Sequence, residues 1–339
     1  MLKSLYQTTM IKESRNLVWI IGQGGLLGSA LSASYRLQHP ESILWTPPGE
    51  TYSWDNSTVL QKQLETRLHL FKIKLADYTS WTIIWTAGAG VVGTSLLALE
   101  EETKVLSFFI NRMERTYSLE FNQGSFFLAS SAGGVWGGTQ VFPIEENTPR
   151  NPISDYGRQK LIQEEYLQQM AHRNPSLRIL IGRVSNLYGP GQKLHKPQGL
   201  LSQLCRSTLL KIPLNVFVPL ETLRDYIFMN DCAELVIRAL LKVRNPRYTA
   251  QITTKIFASE EPATISEILG LLKRLTGQDT PIINPPMMIS RQQPQVLWFR
   301  SHTLVENYLC KPLIEGLSEL LDYQEMQLQL GKLPFPEAS

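Results

Sequence analysis

The sequence predicts an α/β protein, built as a doubly wound, mostly parallel sheet with a smaller, discontinuous C-terminal lobe. Three observations carry that expectation. From Leu17 onward, short apolar runs alternate with longer runs of helical periodicity, the pattern of βαβ units. The first apolar run, in WIIGQGGLLGSAL, breaks into Gly22, Gly24, Gly25 and Gly28 before an apolar helical pattern resumes. Beyond Arg183 the regularity gives way to a Pro/Gly-rich loop and shorter pieces.

Taken in order, LVWII (17–21) reads as the first strand, the run from Leu26 to about Leu37 as the first helix, and SILWT (42–46) as the second strand. TPPGETYSWDN is turn-rich with room for a short third strand, and Thr58 to about Leu75 is an amphipathic helix. TIIWTAGAG (82–90) is a buried strand entering a small-residue turn. A helix from Leu97 to about Leu119 leads to a strand in SFFLASSAGG (125–134), a helix from about Tyr156 to Ala171 and a strand in RILIGR (178–183).

After the loop NLYGPGQKLHKPQG come a helix in LLSQLCRSTLLK, a strand in LNVFVP, and RDYIFMNDCAELVIRALLK (224–242), a strand entering a helix capped near Asp231. ITTKIFAS (252–259) is a strand and ISEILGLLKRLTG (265–277) a helix ended by its glycine, with weak periodicity from Pro281. The expected division is a dinucleotide-type domain over 16–182, rejoined by about 224–258, and a lobe made of 183–223 with 259–330. Residues 1–15 read as a loose extension.

Composition removes several function classes. The chain has 339 residues, 43% of them hydrophobic, with a net charge of only +3 and basic residues scattered among acids. Neither nucleic acid nor an anionic membrane is indicated as a partner. Cys205, Cys232 and Cys310 lack metal-ligand spacing and are odd in number, so they read as packed thiols and no metal is expected. No stretch approaches the roughly 18 to 20 apolar residues of a membrane span, and the N-terminus lacks a secretory apolar core; the expected location is the cytoplasm.

The glycine cluster has two readings. A tight strand-to-helix turn needs glycine for backbone freedom and close packing. A phosphate cradle needs it because a pyrophosphate sits on the free N–H groups of a helix N-terminus and any Cβ would push it away. The spacing fits either the start of G-x-G-x-x-G or, with Gly22, Gly25 and Gly28, G-x-x-G-x-x-G. The second places Gly28 on the helix face that packs on the strand. The candidate cradle is then Gly22, Gly25, Leu26, Leu27 and Gly28. Thr46, ending the second strand, and Ala87 and Gly88, in the later small-residue turn, are further places of cofactor approach.

Tyr156 and Lys160, in YGRQK, lie one helical turn apart on a common face. A phenol ordinarily ionises near 10, too high for base work at neutral pH, and a nearby ammonium favours the phenolate. A serine hydroxyl from the end of the preceding buried strand, Ser131 or its neighbour Ser130, can hold the same substrate oxygen. Together these groups suit a general acid/base beside a nicotinamide, moving a proton on or off an alcohol as hydride leaves or arrives at its carbon.

The glycine turn, SSAGGVWG (130–137), YGRQK (156–160), RVSNLYGPGQ (183–192) and RDYIFMND (224–231) follow one another as in the extended short-chain dehydrogenase/reductases. More narrowly, the chain resembles the NAD-dependent epimerase/dehydratase family acting on nucleotide sugars, over about Leu17 to Leu321. The resemblance implies a Rossmann-type fold, NAD or NADP as cofactor, and a nucleotide-diphosphate sugar as substrate. It makes Tyr156 the acid/base, Lys160 its tuning partner and holder of the nicotinamide ribose, and Ser131 the hydroxyl partner. Asn186 and Arg224 match positions that contact the nucleotide sugar; the alternatives are a loop-capping amide for Asn186 and an ion pair with Asp225 or Asp231 for Arg224. Lys193 and His195 follow Asn186 in a loop that either lines the pocket or is solvated. The helices at about 98–118 and 156–171 resemble the pair that forms a four-helix homodimer interface.

Two departures stand out. NAD-preferring relatives end the second strand in Asp or Glu and NADP-preferring ones offer Arg nearby, whereas here it ends Leu44, Trp45, Thr46, Pro47. Cofactor preference stays open. The stretch from Thr46 to Asn56 is also short, as if a helix were missing, which is similar to sugar 4-keto reductases. Dehydratases of the family place an acidic pair after the catalytic hydroxyl, where Ala132, Gly133 and Gly134 stand here. The reading is therefore an epimerase or 4-keto reductase working at one hexose carbon, C4, with a role in surface-polysaccharide precursor supply implied by the resemblance. A non-catalytic NAD(P)-binding sensor or scaffold, and a reductase of a small carbonyl compound, are the rival readings.

Overall fold

The computed structural model describes residues 15–117, 124–194, 199–284, 294–304 and 307–334. His195 and the expected N-terminal extension, except Arg15, lie outside them. The first half of the chain runs β1 (Asn16–Ile21), α1 (Leu26–Gln38), β2 (Ser42–Leu44), α2 (Ser57–Leu75), β3 (Ser80–Trp85), α3 (Leu96–Tyr117), β4 (Gly124–Ser131), α4 (Ala132–Trp136), α5 (Asp155–Arg173) and β5 (Arg178–Val184). The second half runs β6 (Asn186–Tyr188), α6 (Leu200–Leu210), β7 (Leu214–Asn215), β8 (Leu223–Phe228), α7 (Met229–Arg244), β9 (Ile252–Phe257), β10 (Pro262–Thr264), α8 (Ile265–Thr276), β11 (Ile282–Ile283), β12 (Val296–Leu297) and α9 (Leu313–Gln329).

The main sheet is parallel, in the order β2-β1-β3-β4-β5-β9. Every residue of β1 is buried, because alternate side chains enter two different cores. Leu17, Trp19 and Ile21 pack with the apolar faces of α2, α3 and α5, while Val18 and Ile20 pack with α1 and α7. Helices thus cover both faces, the doubly wound Rossmann-type arrangement expected. A small sheet, β10-β8-β12 with β6 on β8, and a third core built from α6, α8 and α9 form the lobe.

Several local expectations are corrected. No strand forms between β2 and α2: the Glu50–Ser53 backbone is instead satisfied by α2 side chains, with Gln63 donating to Thr51 O (3.2 Å) and accepting from Ser53 N (2.9 Å), and Arg67 donating to Glu50 O. Arg67 also lies 3.8 Å over the Tyr52 ring. Residues 132–134 do not extend β4; Ser131 Oγ accepts the Gly134 N–H (3.1 Å) and starts α4. Asp231 does not cap α7, which begins directly from β8. Its carboxylate sits in the first turn and accepts from Tyr308 Oη (2.7 Å) and Lys311 N (2.8 Å). The strand expected in LNVFVP shrinks to the two residues of β7, and the weakly periodic tail contains α9.

β8, expected with the dinucleotide-type domain from 224 onward, belongs instead to the small sheet. α7 and β9 do return to the main sheet. Gly277 ends α8 in a left-handed conformation (φ +70°), and Thr264 with Glu267 closes its start as a capping box.

Candidate active site

The β1–α1 turn is shaped by contacts that exclude side chains. Gly22 has φ +104°, and a Cβ there would lie 2.6 Å from Ala87 N. A Cβ on Gly28 would lie 2.2 Å from Gly22 O. Gly24, by contrast, has nothing within 4 Å of that position, so close packing falls on Gly22 and Gly28 rather than on Gly24. The Gly25 N–H bonds Gly22 O (3.0 Å), leaving Gly25 as the first cap of α1.

No side chain caps that helix start and no acid stands in its first turn, so the Leu26 and Leu27 end presents uncompensated backbone N–H groups. The Gln23 Nε2, in the same turn, is buried without a hydrogen-bond partner among the described residues. A dianionic pyrophosphate supplies the acceptors and charge that this cradle lacks, and these residues fit the phosphates of a dinucleotide.

β3 ends beside the cradle, with Thr86 donating through both N and Oγ1 to Ile21 O (2.9 and 3.1 Å). This sets Ala87 and Gly88 next to Gly22. The turn is fastened from outside by a residue absent from the sequence-based set, Glu102 of α3. Its Oε1 accepts the N–H groups of Ala89 (2.6 Å) and Gly90 (2.8 Å). One i, i+4 apolar pattern marked α3, and nothing in that pattern distinguished Glu102 from the adjacent Glu100 and Glu101. At the end of β2, Thr46 is exposed and Trp45 turns into the core, edge-on to Trp19 (5.1 Å).

The strand ends meet the Tyr156 segment through small residues. Ser154 caps α5, accepting from Gly157 N (3.2 Å), and a Cβ on Gly157 would strike Gly134 O at 2.0 Å. α5 therefore starts in contact with α4. A Cβ on Gly134 would lie 3.1 Å from the Tyr156 ring and 3.2 Å from Ser131 Oγ, which places these two side chains against the same spot. The Gly pair after Ser131 has a packing reason, since Tyr156 lies on it. Gly157, which no motif in the sequence marks by itself, is the other half of that contact.

The neighbouring hydroxyls are separated by their partners. Ser130 Oγ donates to Glu164 (2.6 Å), a fully buried carboxylate that also takes a two-pronged bond from Arg183 (3.0 and 2.7 Å). Arg183 in turn lies 4.5 Å over the Trp136 ring. Ser131 is half-buried and keeps its hydroxyl proton available while its oxygen caps α4. Lys160 is buried, donates to Gln163 Oε1 (3.2 Å) and Ala129 O (3.5 Å), and stands 5.7 Å from the centre of the Tyr156 ring.

Asn186 and Arg224 sit on the small sheet. Asn186 lies two residues beyond Val184, the end of β5 that pairs with Ser131, so it stands near the serine end of β4. Its Nδ2 donates to Asp225 O (2.7 Å). Arg224 forms no ion pair with Asp225 or Asp231: Asp225 accepts from Ser185, Ser259 and the Glu260 N–H, and Asp231 is engaged as above. The guanidinium bonds the carbonyls of Leu223 (3.0 Å) and Pro294, and burial pushes its pKa down to about 10. It is a partly desolvated cation whose partners, among the described residues, carry no charge. Lys193 is exposed.

Comparison with known proteins identifies the family and the fold. A family model, the NAD dependent epimerase/dehydratase family, matches residues 18–251. A putative UDP-glucose 4-epimerase of Methanocaldococcus jannaschii is 31% identical over 131 residues, 39% of this chain and 41% of its own. A dTDP-4-dehydro-6-deoxyglucose reductase of Escherichia coli is 31% identical over 112 residues, 33% of this chain and 35% of its own. The chain thus aligns with less than half the length of either relative. The structure of a UDP-glucose 4-epimerase with UDP-glucose from Thermotoga maritima superposes with a TM-score of 0.71 at 19% identity, covering 92% of this chain and 99% of that one, a likeness of fold.

Proposed function

The chain belongs to the NAD dependent epimerase/dehydratase family, and on that premise we propose that it is an NAD(P)-dependent nucleotide-sugar epimerase or 4-keto reductase acting at C4 of a hexose. The observation that carries the reading is the meeting of Ser131, Tyr156 and Lys160 at the end of β4, next to the glycine cradle at the ends of β1 and β3. Ligands of open α/β sheets bind at those carboxyl ends. A dinucleotide held there would supply the hydride acceptor or donor.

In this reading Tyr156 Oη takes the proton of the substrate hydroxyl, or returns it to the carbonyl oxygen. Lys160 stabilises the phenolate through its positive charge and binds the nicotinamide ribose. Ser131 Oγ donates to the same substrate oxygen and fixes its approach. Leu26 and Leu27 N–H groups bind the pyrophosphate, with Gly22, Gly25, Gly28, Ala87 and Gly88 giving it access and Thr46 beside the adenosine end. Arg224, desolvated and without an anionic partner among the described residues, binds the sugar-nucleotide diphosphate, a group its planar fork suits. Asn186 orients the same substrate from β6.

Water removal across C5 and C6 is outside this proposal, because the residues after Ser131 carry no proton-transferring group. We divide the chain into a dinucleotide domain carrying the six-stranded sheet, with 229–257 returning to it, and a sugar-nucleotide lobe carrying the smaller sheets. The proposal extends to a cytoplasmic homodimer that supplies an activated sugar for a surface polysaccharide. Among the described residues no helix is long and apolar enough to cross a membrane. Leu97 of α3 and Ile162 of α5 are exposed apolar residues on the two helices assigned to the dimer contact. A monomeric mass by light scattering at micromolar concentration would contradict dimerisation.

The enzymatic test is Tyr156→Phe, assayed on UDP- and dTDP-hexoses and their 4-keto forms with each dinucleotide. Turnover falls by at least about a hundredfold, the usual size of an acid/base contribution, with the melting temperature unchanged. Near-normal turnover removes Tyr156 from the chemistry.

A further inference from the structure

Glu102 does more than close a turn. Only one of its carboxylate oxygens is used: Oε1 accepts the Ala89 and Gly90 N–H groups. Oε2 has no hydrogen-bond partner among the described residues. Its position is fixed by Gly88, where a Cβ would lie 3.3 Å from Oε2 and 3.9 Å from Lys160 Nζ. A free acceptor and a cationic donor thus face one small space over a glycine, without forming an ion pair with each other.

A phosphate does not suit that space, because one wall is a carboxylate. A neutral group with two adjacent hydroxyls does: one hydroxyl donates to the carboxylate oxygen and the other accepts from the ammonium. The glycine leaves room for a ring to approach the backbone. We propose that Glu102 Oε2 binds a hydroxyl of the nicotinamide ribose, opposite Lys160, so that the ribose diol is held between an anion and a cation. The inference rests on the NAD(P)-binding reading above. Glu102 is then a cofactor-positioning residue, whose Oε1 holds the turn while Oε2 holds the sugar.

The substitution Glu102→Gln separates the two roles. Glutamine keeps an oxygen for the Ala89 and Gly90 N–H groups but places an NH2 where Oε2 stood, and NH2 cannot accept. NADH and NADPH are titrated into both proteins by fluorescence, with melting temperatures recorded in parallel. The expected result is an unchanged melting temperature and a dissociation constant raised about tenfold, the effect of losing one hydrogen bond to a charged group.

A dinucleotide lacking one hydroxyl of the nicotinamide ribose gives a readout on the natural protein as well. One of the two monodeoxy forms binds wild type about tenfold more weakly than the parent dinucleotide, and binds Glu102→Gln no more weakly than the parent does. Equal or tighter binding of NADH and NADPH by Glu102→Gln overturns the assignment and leaves Glu102 a turn clamp. A wild-type protein that binds neither dinucleotide overturns the parent reading itself, which the same titration registers separately.

Discussion

Two strand ends of one sheet, β4 and β2, solve different problems. β4 finishes in a tightly specified place: Ser130 is tied to a buried ion pair, Ser131 caps the next helix, and Gly134 and Gly157 let the Tyr156 ring and α5 close onto it. β2 finishes loosely, after three residues, with Trp45 turned into the core, Thr46 exposed and no strand beyond it. The contrast teaches where this fold invests its precision. The β4 end is held by backbone contacts and a buried ion pair, whereas the β2 end presents an exposed threonine.

The largest effect expected is at the cradle. Gly28→Val places methyl groups where even a Cβ meets Gly22 O at 2.2 Å, so dinucleotide binding falls by at least about a hundredfold and the β1–α1 junction must shift. Calorimetric titration with NADH and NADPH reads it, and retained affinity would break the claim that backbone shape specifies this end of the site.

A comparable loss, in stability rather than affinity, is expected of Glu164→Gln, which leaves Arg183 buried opposite a neutral amide. Removing one partner of a buried pair costs about 3–5 kcal/mol, and denaturant unfolding measures the loss. A variant as stable as wild type would show that the β4 end is no more rigid than the β2 end.

The smallest expected effect sharpens the other side of the comparison. Thr46→Asp adds at the end of β2 a carboxylate that accepts ribose hydroxyls and repels a 2′-phosphate. The ratio of NADH to NADPH affinity rises by about tenfold, one charged hydrogen bond, in parallel titrations. An unchanged ratio would place the adenosine away from Thr46.

The structure is most legible in the sequence where one local requirement decides it. β1, β3 and β5 are runs of apolar residues too short for helices, and the alternation of such runs with helical periods set the parallel sheet. Gly277 stopped α8 by the backbone conformation only glycine takes easily. The structure is least legible where distant residues decide. The stretch after β2 looked able to hold a strand, and only Gln63 and Arg67, on the following helix, supply the bonds that a strand partner would have given. Asp231 looked like a cap but binds Tyr308 and Lys311, from a part of the chain with no periodicity to announce it.

The candidate site divides the same way. Ser131, Tyr156, Lys160 and the glycines were visible as motifs. What separates Ser130 from Ser131 is Glu164, which takes the Ser130 hydroxyl from another element, and what separates Arg224 from Asp225 is the set of donors that Asp225 already accepts. Glu102 gave no signal, because its meaning comes from a turn that precedes it in the chain and folds back onto its side chain.

The central claim is that Tyr156 moves a proton as a hydride passes between a nucleotide sugar and NAD(P). The most direct measurement gives the protein the 4-keto forms of UDP- and dTDP-hexoses with NADH and NADPH dideuterated at nicotinamide C4, followed by mass spectrometry of the sugar. Deuterium in the hexose from wild type, and its loss in Tyr156→Phe, is the predicted result. A hexose that stays free of deuterium with every 4-keto sugar, although the dinucleotide binds, would contradict the account.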